Sequence, residues 1–123
     1  MNWKFTEDRP IWVQLSEQLS VQITAGVYGP GERLPSVREF AAQAGVNPNT
    51  MQRALADLES QGLLVTNRTA GRSVTQDMER IRTLRADQAR AQVAQFLETM
   101  DSMGFSRQEI MAVLEEAIKE EEA

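Results

Sequence analysis

Neither cysteine nor histidine occurs among the 123 residues of this chain. Without cysteine, a disulfide framework and a thiolate metal site are both impossible. Histidine is the most frequent general base and cysteine the usual thiolate nucleophile, so the side chains on which most catalytic sites depend are missing. No carboxylate pair stands in a recognisable catalytic arrangement either. We therefore expect neither an enzyme nor a protein that carries a cofactor or a metal ion.

Long apolar runs are also missing. No stretch approaches the roughly 20 apolar residues that a membrane-spanning helix requires. The N-terminal sequence MNWKFTEDRP holds two acidic residues and no apolar segment, so it lacks the pattern of a secretory signal. We expect a cytoplasmic protein without a membrane partner, built as one domain or as a small domain with an appendage.

Two helix-start signals stand eleven residues apart in the first half of the chain. Ser36 is followed three residues later by Glu39, the spacing of a capping box in which hydroxyl and carboxylate accept from free backbone N–H groups. Asn47 can cap a second helix, because Pro48 suits the first helical position. Gly45 lies between the two as a turn residue. This arrangement is typical of a helix-turn-helix, whose second helix enters the DNA major groove.

The surrounding pattern predicts helices and one small hairpin. Apolar residues at helical spacing predict an amphipathic helix from Pro10 to about Ala25, with Gln14, Gln18 and Gln22 as a polar stripe on another face. The second helix of the helix-turn-helix extends from Pro48 to about Gln61. The β-prone runs Leu63–Thr66 and Ser73–Thr75, joined by residues 67–72, predict a hairpin that forms a wing.

Residues 77–123 return to a helical pattern. One long helix ends near Gly104, and a last helix starts with a second capping box, Ser106 with Glu109. Two helices cannot hide both of their apolar seams from water, so we predict that they pack against the same pair of a second subunit. The predicted dimerisation residues are Ile81, Leu84, Val93, Phe96, Leu97, Met100, Ile110, Val113, Leu114 and Ile118.

These patterns predict a fold class that is mainly α with a small β-hairpin. An N-terminal winged helix-turn-helix domain occupies residues 1–76, and a two-helix dimerisation unit occupies residues 77–123. The formal net charge of −5 is divided in the same way. Residues 1–76 hold seven basic and seven acidic side chains, whereas residues 77–123 hold six basic and eleven acidic ones. The C-terminal part would repel phosphate, while clustered arginines favour DNA binding by the N-terminal part.

The chain resembles the winged-helix domain of GntR-type bacterial transcription regulators. The resemblance covers PIWVQL (Pro10–Leu15), the pattern GxYxPGxxLPSxR (Gly26–Arg38) and the pattern NTxxxALxxLExxGLL (Asn49–Leu64). The sequences VNPNT (Val46–Thr50) and MGFSRQEI (Met103–Ile110) are similar to the YtrA-like subfamily, whose members carry only two helices after the winged helix.

This resemblance implies a homodimer that reads an inverted-repeat operator in double-stranded DNA and dimerises through its C-terminal helices. Such regulators usually repress genes for an ABC-type transporter. Whether a small-molecule effector binds stays open. The wing departs from the family pattern, because it keeps only the second of two glycines, Gly71, and the valine, Val74.

Ten residues are predicted to contact DNA or to shape the elements that do so. They are Ser36, Arg38, Asn47, Asn49, Thr50, Gln52, Arg53, Arg68, Gly71 and Arg72. Among them, Asn47 is mainly a cap, whereas Asn49 and Thr50 can either bond locally or reach phosphates and base edges. Amide-to-adenine or guanidinium-to-guanine pairing would suit Gln52 and Arg53.

Each predicted arginine contact has an alternative. Arg53 can form an ion pair with Asp57 one turn later. Arg38 corresponds, by the resemblance, to a DNA-contacting residue, and its alternative is a weak surface bridge to a neighbouring acid. Arg68 and Arg72 at the wing can enter a narrow minor groove or contact phosphate.

Other patterns have a structural interpretation beside a functional one. Trp3 and Trp12 are interpreted as packing residues rather than base-stacking platforms. The C-terminal methionines can line an effector pocket or fill a dimer core. The acidic residues of the last helix can hold a divalent cation or form a solvated face. The rival function is that of a protein-interaction adaptor, which would dock a partner through the acidic C-terminal helices.

Overall fold

A computed structural model describes residues 3–122 of the protein. The described residues form helices α1 (Ile11–Thr24), α2 (Val37–Ala44), α3 (Pro48–Ser60), α4 (Met78–Ser102) and α5 (Arg107–Glu122), and strands β1 (Leu64–Asn67) and β2 (Gly71–Val74). The predicted fold class, mainly α with one β-hairpin, is confirmed. None of these helices is long and apolar enough to cross a lipid bilayer.

The chain folds as two compact units, the first ending at Ala86 and the second beginning at Asp87. The first unit contains α1 to α3, the hairpin and the first turns of α4. The second unit contains the rest of α4 and all of α5. The boundary therefore lies inside a continuous helix.

The core of the first unit surrounds the inner face of α3. Four α3 side chains at helical spacing are at most 1% exposed: Met51, Ala54, Leu55 and Leu58. Leu15 and Leu19 of α1 are fully buried in the same core. Phe40 of α2 packs there in edge-to-face contact with Tyr28, at a ring-centroid distance of 5.9 Å. The core thus holds α3 from two sides, as expected for helices with one apolar face.

The predicted capping box of α5 forms completely, whereas the one at α2 forms only in part. At the start of α5, the Ser106 N–H donates to Glu109 Oε1 at 3.0 Å, and the Glu109 N–H donates to Ser106 Oγ at 3.2 Å. Hydrogen bonding of the Glu109 carboxylate to the backbone N–H and the hydroxyl of Ser106 lowers the pKa of Glu109. At the start of α2, the Glu39 N–H donates to Ser36 Oγ, but the Glu39 carboxylate accepts from the Ser36 hydroxyl instead of the backbone. Only half of that predicted box is therefore a backbone cap.

Two glutamines of the polar stripe on α1, Gln14 and Gln18, hold the N-terminal segment against the helix. Gln14 is only 3% exposed, because its amide accepts from the Thr6 N–H at 2.8 Å and donates to the Thr6 carbonyl at 2.9 Å. One turn later, the Gln18 amide pairs in the same way with the backbone N–H and carbonyl of Lys4. Each amide pairs with both backbone groups of one residue, so the two glutamines fix the path of the segment along α1.

Residues 31–34 also pair with β2, which the sequence pattern did not predict. The Gly31 N–H donates to the Val74 carbonyl and the Leu34 N–H donates to the Arg72 carbonyl, both at 2.9 Å. Arg33 forms an antiparallel bridge with Ser73. Within this segment, Leu34 enters the core while Arg33 stays exposed. The wing is therefore anchored to the turn that precedes α2.

The apolar seam of α4 is divided between the two units. Ile81 is 6% exposed within the core of the first unit, and Leu84 packs against that core. Both of these predicted dimerisation residues thus already have packing partners within the chain. In the second unit, Met100 and Ile110 are buried, Leu97 is half-buried, and Val93, Phe96, Val113, Leu114 and Ile118 are exposed.

Because Ile81 completes the first core, we predict that Ile81→Ala lowers the free energy of unfolding by about 2 to 4 kcal/mol, through the cavity it leaves. Urea unfolding at one fixed protein concentration measures this loss. The matched control is Thr83→Ala on the exposed side of the same helix, which should change stability by less than about 0.5 kcal/mol. Equal, small effects of the two substitutions would contradict the assignment of Ile81 to this core.

Candidate nucleic-acid interface

The turn between α2 and α3 is built as its sequence predicts. Gly45 ends α2 in the left-handed conformation, with φ of 70°, which a glycine adopts without steric cost. Asn47 then caps α3, because its Oδ1 accepts from the Asn49 N–H at 2.8 Å. Pro48 occupies the first turn, where its missing N–H leaves no bond unmade. The predicted capping role of Asn47 is therefore confirmed.

The outer face of α3 carries a polar stripe opposite its buried residues. Asn49, Gln52 and Arg53 are all exposed, at the spacing i, i+3 and i+4 that lines one side of a helix. Thr50 is half-buried at the edge of this stripe. The stripe offers an amide, a second amide and a guanidinium, the groups that can pair with base edges in a major groove.

Arg53 stacks on an aromatic ring instead of pairing with an acid. Its guanidinium carbon lies 4.3 Å from the centroid of the Trp12 ring on α1, within the range of a cation–π interaction. Asp57, the alternative partner, accepts instead from the Ser16 hydroxyl at 2.6 Å and from the Gln61 amide at 2.8 Å. Arg53 thus remains on the outer face of α3, and no acidic side chain within residues 3–122 forms an ion pair with it.

The wing turns through a three-residue loop, residues 68–70, between the paired residues Asn67 and Gly71. Asn67 Oδ1 accepts from the backbone N–H and the hydroxyl of Thr69. Gly71 has a φ of 80°, the left-handed conformation that such a loop needs where it enters the second strand. The wing sequence differs from the family pattern in having one glycine, and this glycine lies at the position where the loop needs a positive φ. The structure also moves Asn67, Gly71 and Arg72 from the predicted loop into the strands.

Arg72 connects the wing to α3. Its Nε donates to Glu59 Oε1 at 2.5 Å, and its Nη1 donates to Gln52 Oε1 at 3.2 Å. The Thr66 hydroxyl of β1 donates to the same Glu59 oxygen. The Thr66 hydroxyl and the Arg72 guanidinium together lower the pKa of Glu59. The Arg72 side chain is only 16% exposed, so it lies within this network and not at the tip of the wing.

Four arginines around α3 and the wing form no ion pair among residues 3–122: Arg33, Arg38, Arg53 and Arg68. All four are exposed. The predicted alternative for Arg38, a bridge to a neighbouring acid, is thus absent from the described residues. Arg33 was not among the predicted site residues. The sequence carried no usable signal for it, because alternation with Leu34 alone is too short to be recognised as a strand pattern.

The acidic side chains of α5 do not assemble into a cation site. Among the residues that the structure describes, no group of three acidic side chains comes close enough together to hold a metal ion. Ser36, the remaining predicted site residue, lies exposed at the start of α2, two residues before Arg38.

The sequence profile of the family described as "Bacterial regulatory proteins, gntR family" matches residues 13–74. These residues include α2, the turn, α3 and both strands. The chain is also 37% identical over 68 residues to the "HTH-type transcriptional repressor YtrA" of Bacillus subtilis. That match covers 55% of this chain and 52% of the repressor.

Two solved structures share the fold. A GntR family transcriptional regulator from Listeria monocytogenes superposes with a TM-score of 0.84 at 35% sequence identity, over 91% of this chain and 98% of that one. The DNA-binding domain of AraR, solved in complex with its operator ORR3, gives a TM-score of 0.52 at 32% identity. It covers 61% of this chain and 88% of that domain. The likeness thus extends both to a regulator of nearly the same length and to a domain seen on DNA.

The lowered pKa of Glu59 predicts a pH-dependent stability. A carboxylate whose pKa is lower in the folded protein stabilises the fold above its unfolded pKa, and this contribution is lost as the pH falls through the folded pKa. Glu59→Gln should therefore destabilise the protein more at about pH 7 than at about pH 3, as measured by urea unfolding. Glu98→Gln, on the exposed surface of α4, is the control and should have little effect at either pH. A loss that is equal at both pH values would show that the carboxylate charge is not the cause.

Proposed function

This chain belongs to the gntR family of bacterial regulatory proteins and is a DNA-binding transcription regulator, and we propose that it acts as a homodimeric repressor on an inverted-repeat operator. The observation that carries the proposal is the exposed polar stripe of α3, bordered by Arg33, Arg38 and Arg68, which form no ion pair within residues 3–122. Polar groups on a rigid, capped helix favour base reading, and unpaired cations around it favour phosphate binding.

In the proposed complex, the N-terminal half of α3 enters the major groove. Asn49, Gln52 and Arg53 then face base edges, because they form the exposed stripe. Arg38, in the first turn of α2, reaches the phosphates on one side of the groove, with Ser36 and Thr50 beside it. The contacts of the wing with DNA are assigned to the exposed Arg68 and Arg33. Gly71 allows the wing backbone to approach the DNA closely.

The charge distribution supports this orientation. The first 76 residues are neutral overall, so their affinity for DNA rests on the arginines around α3 and the wing and not on the net charge. The later residues carry the whole net charge of −5 and are repelled by phosphate, which keeps α5 away from the duplex. Because the affinity rests on few cations, binding by one subunit should be weak, and it should decrease with salt in proportion to the number of phosphates contacted.

Two subunits bound to one operator would compensate for the weak binding of each. The second compact unit of the chain, which begins at Asp87, offers an apolar surface through which two subunits can pair. Phe96 of α4 is 38% exposed, and Val113, Leu114 and Ile118 of α5 are 40–51% exposed. Several large apolar side chains exposed on the same two helices favour burial against another protein surface. We assign that surface to the same helices of a second subunit, because a two-fold axis would match the symmetry of an inverted repeat.

The regulated genes are inferred from the similarity to the YtrA repressor and from the YtrA-like sequence motifs. We assign to the protein an operator near genes for an ABC-type transporter, where binding would block the promoter. Its place of action would then be the bacterial cytoplasm, where the chromosome lies. Any effector would act on the second unit.

The DNA contacts are tested with Arg38→Ala combined with Arg53→Ala. We expect selection from a random duplex library to enrich an inverted repeat with the wild-type protein, and the double variant to bind that repeat at least about a hundredfold more weakly at the same salt concentration. Arg82→Ala with Arg85→Ala, on the exposed side of α4, is the control and should retain binding.

Unchanged affinity of the Arg38 and Arg53 variant would contradict the proposed contacts. Failure of the wild-type protein to enrich any duplex would instead favour a protein partner for the winged helix. Sedimentation of both variants shows whether they remain folded and associated.

The dimer surface is tested with Phe96→Glu, which places a charge on the exposed apolar side of α4. We expect the variant to sediment as a monomer, because burying an unpaired carboxylate in an apolar interface is unfavourable. Gln95→Glu adds the same charge about a third of a turn away, opposite Val93, and should leave the dimer intact. A dimer that survives Phe96→Glu would contradict this surface.

A further inference from the structure

A chain of hydrogen bonds links the wing to the recognition helix and ends on a predicted base-reading residue. It passes from Thr66 in β1 through Glu59 and Arg72 to Gln52 on the outer face of α3. The side chains of Arg72 and Glu59 are 16% and 31% exposed, so the middle of the link, where these two residues pair, is partly shielded from water. Gln52, at its end, is exposed.

The contact between Arg72 and Gln52 fixes the orientation of the amide. A guanidinium has only donors, so it accepts no bond from the amide nitrogen and must face the oxygen. Gln52 Oε1 accordingly accepts from Arg72 Nη1 at 3.2 Å. The amide nitrogen has no hydrogen-bond partner within residues 3–122 and is directed away from the wing arginine. A rotation of the amide by half a turn would set two donors against each other.

We propose that Arg72 is a positioning residue that determines the base preference of Gln52 by holding its amide in one orientation. This inference rests on the proposed function, since it concerns how the recognition helix reads DNA. Base pairs present donors and acceptors in a defined order along the major groove, and an A·T pair shows the reverse order of a T·A pair. A fixed amide distinguishes the two orders, whereas an amide that rotates freely accepts both.

The same observations distinguish this positioning role from the DNA contact that the sequence suggested for Arg72. A phosphate contact needs an accessible cation, yet two nitrogens of Arg72 already donate within the protein. Arg68, at the exposed loop of the wing, has no ion-pair partner among the described residues and is available for phosphate. The two wing arginines are therefore assigned different tasks, and they serve as each other's controls.

The experiment compares Arg72→Met with Arg68→Met in the full-length protein. Competition binding is measured on the selected operator and on duplexes changed at one base pair, over a series of salt concentrations. With Arg72→Met, we expect the preference at one position in each half-site to fall from about tenfold to about twofold, while the slope of log affinity against log salt stays unchanged. With Arg68→Met, we expect affinity to fall on all duplexes alike and the slope to decrease by about one per subunit.

Coupling to Gln52 is tested in the same assay. In a Gln52→Ala background, Arg72→Met should have no further effect on base preference, because the residue through which it acts is gone. Gln52→Glu still accepts from Arg72 but has no donor, so preference at that position should shift towards a base pair that offers a donor, such as the cytosine N4 group. This second variant lies on the exposed face of α3 and tests the inference even if Arg72→Met fails to fold.

Three results would overturn the inference. Arg72→Met that weakens all duplexes alike and reduces the salt slope would show a phosphate contact. Unchanged preference in both Arg72→Met and Gln52→Glu would show that the amide is not held for reading. If the wild-type protein prefers no sequence, the proposed function itself is wrong. This result differs from a failure of the inference alone, because it is obtained with the wild-type protein before any variant is tested.

Discussion

The structure depends on one requirement, that α3 be buried completely along one side and left unpaired along the other. Its inner residues are at most 1% exposed, which fixes the rotation of the helix about its own axis. That rotation determines which side chains form the outer stripe. A helix that rotated by one residue would bury Gln52 or Arg53 and expose a core residue, at a large cost in desolvation and lost packing. Apolar burial thus determines where the polar site lies.

Polar contacts at the ends and sides of α3 add to this constraint. Asn47 fixes where the helix begins, and Asp57 ties it to α1 through Ser16 at 2.6 Å. Glu59 ties it to the wing through Arg72. Each of these residues lies beside the outer stripe and not within it, so the stripe is held without being covered. The segment that Gln14 and Gln18 dock against α1 supports the same core from outside through Trp3, which packs on Phe40.

Much of the fold could be predicted because its signals are local. The caps at Ser36, Asn47 and Ser106, the proline after Asn47 and the glycine turn each act within four residues of the chain. The pairing of residues 31–34 with β2 could not be predicted, since its partners are about forty residues away and the segment is too short for a periodic pattern. The role of Gln14 was missed for a related reason. An amide stripe on a helix has the same pattern whether it meets water or a neighbouring backbone.

The candidate site divides in the same way. Residue types and helix position identified Asn49, Gln52 and Arg53, and all three lie on the exposed stripe. The side chains that contact them could not be predicted from the sequence, because Trp12 and Arg72 are brought to α3 only by the tertiary fold. Those neighbours have a consequence for the divergence of such regulators. Because the amide of Gln52 is held by a side chain of the wing, the helix and the wing cannot change independently, and a recognition helix transplanted alone into a relative would arrive without the group that orients it. Any code that relates protein sequence to operator sequence in proteins of this kind has to include β2 as well as α3.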